Sequence, residues 1–114
     1  TTGGIRRLEV ADQVVASGVE LVGMASALAS TPDLPNQWQQ DPQAVGHIPN
    51  VAWKDKTLAG LATMGLVKRH LRTVGKGKKP DLNASPFWTL ILDQIRSAKL
   101  TKRYRKQYAD QLLD

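Results

Sequence analysis

With 114 residues the chain accommodates one domain and not two ordinary ones. The absence of cysteine excludes a disulfide framework, a thiolate metal site and a cysteine nucleophile, and fits a reducing, cytoplasmic compartment; no apolar run approaches the roughly 20 residues of a membrane-spanning helix. The formal net charge of +6 is unevenly placed, because residues 1–53 carry two basic and five acidic side chains, a net of −3, whereas residues 54–114 carry 14 basic and five acidic ones, a net of +9. The basic half invites an anionic partner, although such runs are more often solvated helix surface.

In chain order, Gly3-Gly4-Ile5 reads as a loop, and the spacing of Leu8, Ala11, Val14 and Val15 predicts a helix over about 7–17, closed by Ser17-Gly18. Val19 to Met24 is short, apolar and rich in β-branched residues, the composition of a buried strand. A helix starting near Ala25 is interrupted by Thr31-Pro32-Asp33-Leu34-Pro35, and a further helix over about 33–40 places Leu34 and Trp38 on one face. Residues 41–53, with two prolines and a glycine, read as a connecting loop. From residue 54 a helical pattern runs through Leu58, Leu61, Ala62, Gly65, Leu66, Val67, His70 and Leu71 to the basic loop Val74–Pro80. Ser85-Pro86 is a strong helix start, and Trp88, Ile91, Leu92 and Ile95 define its apolar face. A separate basic helix is predicted over about 100–112, with Leu100, Tyr104, Tyr108 and Leu112 in step.

One short strand cannot satisfy its own backbone groups, so its partners are expected in chain beyond this sequence. The start at Thr1-Thr2-Gly3-Gly4, without an initiator methionine, points the same way. The sequence therefore reads as a piece of a larger protein.

Three short motifs in order carry a resemblance: Thr2-Gly3-Gly4-Ile5 before a helix; Gly18-Val19-Glu20-Leu21-Val22-Gly23-Met24-Ala25-Ser26-Ala27-Leu28; and Pro32-Asp33-Leu34-Pro35-Asn36. Together they resemble the end of the old yellow enzyme or NADH:flavin oxidoreductase family, an FMN-binding TIM barrel, over roughly residues 1–40. The resemblance implies an α-rich α/β fragment: the last β/α units of a (β/α)₈ TIM barrel, followed by a mostly helical C-terminal extension. Since a complete barrel needs about 250 residues, only its end would be present. Residues 1–40 would be the terminal barrel segment with its phosphate-binding loops, 41–53 a connection and 54–114 the basic extension. The family holds the FMN phosphate on two loops, largely through main-chain amides, which assigns Gly3 and Gly4 to one loop and Ala25 and Ser26 to the other. Where the family usually has Gly-Arg, this chain has Ala25-Ser26, so a serine hydroxyl and amides replace a charge-assisted contact. The parent protein would move hydride from NAD(P)H through FMN to an acceptor. Its substrate-anchoring and proton-donating residues lie on earlier strands, so no catalytic residue is assigned here and the isolated chain is expected to be inactive. Expected partners are the rest of the barrel or other copies of the chain, with no membrane.

The alternative is a small basic helical module that binds nucleic acid. Lys68, Arg69, Arg72, the loop Lys76-Gly77-Lys78-Lys79, and Arg96, Lys99, Lys102, Arg103, Arg105 and Lys106 supply the charge, and Leu58 to Arg72 has a loose helix-turn-helix cadence around Gly65. His47 and His70 have no carboxylate or cysteine cluster beside them and read as surface or packing residues, not metal ligands. Trp38, Trp53 and Trp88 read as core or interface anchors.

Overall fold

A computed structural model describes the backbone of residues 3–112 and the side chains of residues 3–109. Thr2 of the first motif and the Leu112 side chain lie outside the described residues. Among the described residues five helices follow one another: α1 (Leu8–Ala16), α2 (Ser26–Ser30), α3 (Leu34–Gln40), α4 (Lys56–Val74) and α5 (Pro86–Leu112).

The expected β/α barrel units are not there: the described residues form no sheet, and the fold is helical. Val19 to Met24 runs between α1 and α2 without a neighbouring strand among the described residues. Gly23 within it forms a bridge, and the Leu21 side chain is 81 % exposed; β-branched composition alone does not extend such a contact into a sheet. An isolated antiparallel bridge joins Arg7 to Val45 across the chain, and the Gly46 amide donates to the Arg6 carbonyl at 2.8 Å. Through that bridge the 41–53 segment, expected to be a plain connection, becomes part of the packing.

Two small apolar clusters form the interior. In the first, Leu34 and Trp38 of α3 meet Ala27 of α2, flanked by Leu8, Met24, Leu28, Ala44 and Ile48. The four-residue spacing on α3 is as read from the sequence, and the Trp38 indole N–H donates to the Ala44 carbonyl at 2.9 Å. Gly46 is buried against this cluster; a Cβ there would stand 2.6 Å from Leu34 Cδ2 and 3.2 Å from the Ala27 Cβ. In the second, Val51, Ala59, Ala62, Leu66 and Ala84 pack together with Trp53 and Leu90 around α4. Helix α4 is capped at its start by Asp55, whose Oδ1 accepts from the Leu58 amide at 3.0 Å.

His70 joins the two clusters. Only 1 % exposed, it projects from α4 with Nδ1 2.8 Å from Ser30 Oγ on α2 and Nε2 3.2 Å from the Asp81 carbonyl in the loop before α5. A carbonyl only accepts, so Nε2 carries the proton and Nδ1 accepts from the serine hydroxyl. Neither histidine belongs to a group of side chains able to hold a metal among the described residues.

The rest of the helical pattern departs from expectation in three places. Helix α4 runs unbroken through Gly65, where the helix-turn-helix cadence required a turn. Helix α5 is one continuous element, because Ser97 to Thr101 contains neither glycine nor proline to end it. Its predicted apolar face is also mostly exposed, with Ile91 half-buried. The buried residues of α5 include Thr89 and Asp93, while Trp88, Leu92 and Ile95 are 61 %, 58 % and 47 % exposed. Beside Leu90, which packs on the cluster around α4, the α4–α5 contact uses polar groups: Arg69 donates to Thr89 Oγ1 at 3.2 Å, and Asp93 faces Lys68 Nζ at 3.1 Å and Arg72 at 3.6 Å.

The molecule is extended, with a radius of gyration of 17.9 Å against roughly 13 Å for a compact chain of this length. Its accessible surface is 8635 Å², whereas a compact monomer of its mass shows roughly 6,200 Å².

His70→Ala is expected to cost about 2–4 kcal/mol in urea unfolding, since it opens a cavity and strands the Ser30 hydroxyl and the Asp81 carbonyl. Burial, foremost, holds the His70 imidazole below the ordinary histidine value of about 6.5, partly offset by the bond to the Asp81 carbonyl. The unfolded chain therefore takes up a proton first as pH falls. Stability should be full above about pH 6.5 and decline as pH drops from there toward the folded value, and the variant should lose that part of the slope. Gly46→Ala should cost about 1–3 kcal/mol in the same assay, because Leu34 is fully buried and has little room to yield.

Candidate functional site

Although no barrel forms among the described residues, the two loops singled out in the sequence come together. Gly3, Gly4, Ala25 and Ser26 line one cleft of about 240 Å³, with Ile5, Met24, Ala27 and Ile48 completing its wall. The bridge between Arg7 and Val45 holds the first loop in place, and Ile5 is itself buried. The second loop is held by α2, whose Ala27 and Ala29 are buried and whose Ala29 amide donates to the Ala25 carbonyl at 2.9 Å.

Gly3 and Gly4 have φ of +136° and +61°, and a Cβ on either would meet nothing within 4 Å. The reason for glycine here is thus backbone conformation, not crowding: side-chain-bearing residues rarely adopt these angles. Glycine at such positions also lets the backbone approach a bound ligand closely. Ser26 is half-buried at the start of α2 and adds a hydroxyl donor. The lining carries no charged side chain, so a carboxylate does not repel an anion there and an arginine does not assist it.

The second set of candidates separates. Lys68, Arg69 and Arg72 are engaged with Asp93 and Thr89 on α5, so they serve the helix pair. Lys76, Lys78 and Lys79 are exposed in the loop. Arg96, Lys99, Lys102, Arg103, Arg105 and Lys106 lie on the exposed length of α5, where no acidic residue occurs between Gln94 and Ala109. Tyr104 and Tyr108 contact one another on that helix, ring centroids 4.5 Å apart, instead of packing on a neighbouring element. Trp88 is not a core anchor; it is exposed and meets the Phe87 ring edge to face at 5.6 Å.

Two further surfaces are not read as grooves from the sequence, although the second contains Arg96 and Lys99 of the basic candidates. A groove of about 410 Å³ is lined by Leu8, Glu9, Asp12, Gln13 and Ala16 of α1 with Pro42 and Gln43. Its signal in the sequence is the three-residue spacing of Glu9 and Asp12, which puts both carboxylates on one helix face. A second groove, about 380 Å³, follows Leu92, Ile95, Arg96, Lys99 and Leu100 along α5. Its apolar members have the spacing of a core stripe, which is why the sequence alone hides them as a surface. Comparison with protein-family models, with curated proteins and with solved structures returns no match to this chain.

Proposed function

We propose that the cleft formed by Gly3, Gly4, Ala25 and Ser26 binds the phosphate of FMN, and that the chain is the phosphate-binding part of an FMN-dependent NAD(P)H oxidoreductase. The observation that carries this reading is the convergence on one cleft of two loops more than twenty residues apart, each bearing part of the family motif. The residues fit a phosphate. They offer the main-chain amides of the positive-φ Gly3-Gly4 loop, the Ser26 hydroxyl and no opposing carboxylate. The cleft is also smaller than the roughly 300–1,000 Å³ of pockets that enclose a whole cofactor-sized ligand, as suits a site for one end of FMN.

FMN, when bound, would supply the hydride chemistry, passing reducing equivalents from NAD(P)H to an electron-poor acceptor. The part played by this chain is to hold and orient. Gly3 and Gly4 donate through their amides, Ser26 through its hydroxyl, and the buried Ile5 and Ala27 keep the two loops in register. None of these side chains is a proton donor or nucleophile for the reaction, so the isolated chain is inactive in this account.

Titration of the chain with FMN, riboflavin and inorganic phosphate, followed by amide NMR, tests the reading. FMN and phosphate should shift the amide signals of Gly3, Gly4 and Ser26, and riboflavin, which lacks the phosphate, should not. Gly4→Val, which forces a β-branched residue into φ +61°, should weaken FMN binding about tenfold or more. Absence of any shift up to about 10 mM FMN, a binding free energy under about 3 kcal/mol, would overturn the assignment.

A further inference from the structure

The outward face of α5 and the acidic groove on α1 are complementary in charge, each bordered by apolar side chains. On α5, Leu92, Ile95 and Leu100 flank Arg96 and Lys99 along an open groove. On α1, Leu8 and Ala16 flank Glu9 and Asp12, with Pro42 and Gln43 forming the opposite wall. Each surface thus carries two like charges three residues apart between apolar positions, and the signs are opposite. We propose that α5 of one copy docks into the α1 groove of a second copy, Arg96 and Lys99 facing Glu9 and Asp12.

Three observations support a second copy as the occupant. First, the two linings share no residue, and within one copy α5 packs chiefly on α4. Second, the accessible surface exceeds that of a compact monomer by roughly 2,400 Å², more than the roughly 800 Å² per partner that a standard interface covers. Third, α5 carries uncompensated charge. Lys99 and Arg103 stand four residues apart, as do Lys102 and Lys106, on a stretch with no acid between Gln94 and Ala109, and like charges one turn apart destabilise a helix. An acidic groove relieves that repulsion while its apolar members cover Leu92 and Ile95. A nucleic acid would answer the charge and leave the large apolar side chains of Leu92 and Ile95 uncovered on the same helix. Because the contact joins two different patches, it closes reciprocally in a two-fold pair or continues head to tail.

The test is the mass of the 114-residue chain in solution by sedimentation, at low and high salt. Association should appear at low salt and fall as salt screens the exposed charges. The double variant R96E/K99E and the double variant E9K/D12K should each be monomeric, with far-UV circular dichroism showing that the helices persist. Mixed together, the two should associate again, since the reversed charges pair across copies. A wild-type chain that stays monomeric at low salt would overturn the proposal. So would association indifferent to both reversals, or salt-sensitive binding of a DNA duplex by a chain that does not self-associate.

Discussion

The fold turns on the imidazole of His70. Neither apolar cluster is large: one is built on Leu34 and Trp38, the other on Ala59, Ala62 and Leu66. A hydrogen bond at each ring nitrogen, to Ser30 and to Asp81, is directional in a way that methyl packing is not. It fixes the rotation of α4 about its own axis as well as its distance from α2. Once that rotation is set, Gly65, Lys68, Arg69 and Arg72 face α5, and a surface of three cations and a glycine accepts Thr89 and Asp93 in preference to Trp88 or Leu92.

Much of the local structure is legible in the sequence. Helix α1, the Leu34–Trp38 face of α3 and the Ser85-Pro86 start of α5 all follow from short-range chemistry that the chain carries with it. Gly3, Gly4, Ala25 and Ser26 line one cleft, but the motif order that paired them implied barrel units that the described residues do not form. What escapes the sequence is long-range. Val19–Met24 has strand composition, and a strand is a relation between segments, so no local pattern reveals that a neighbour is missing among the described residues. The spacing of Trp88, Leu92 and Ile95 correctly defines a stripe on a helix, and spacing cannot say whether that stripe points in or out. The role of His70 is hidden for the same reason, because its partners lie 40 residues before it and 11 after it.

The charge division of the sequence takes on a spatial meaning in the structure. Glu9 and Asp12 border a groove on α1, and the six cations from Arg96 to Lys106 occupy a helix that α4 contacts only toward its beginning. The cleft lined by Gly3, Gly4, Ala25 and Ser26 draws on neither group, since its lining is uncharged. Anion binding through amides and assembly through charged helices would therefore respond differently to salt: a screened long-range attraction governs the second, short directional bonds the first.

Helix α5 also has a mechanical consequence. Its attachment to α4 is centred near Thr89 and Asp93, and Tyr108 lies 15 residues beyond Asp93, about 22 Å along the axis at 1.5 Å per residue. The helix is a pointer pivoted near one end. A tilt of about 5° at the pivot, well within what a pair of partly solvated ion pairs permits, swings the tyrosine by about 2 Å. Small adjustments around Asp93 are thereby magnified at the far end, and the position of that end reports on the geometry of the pivot.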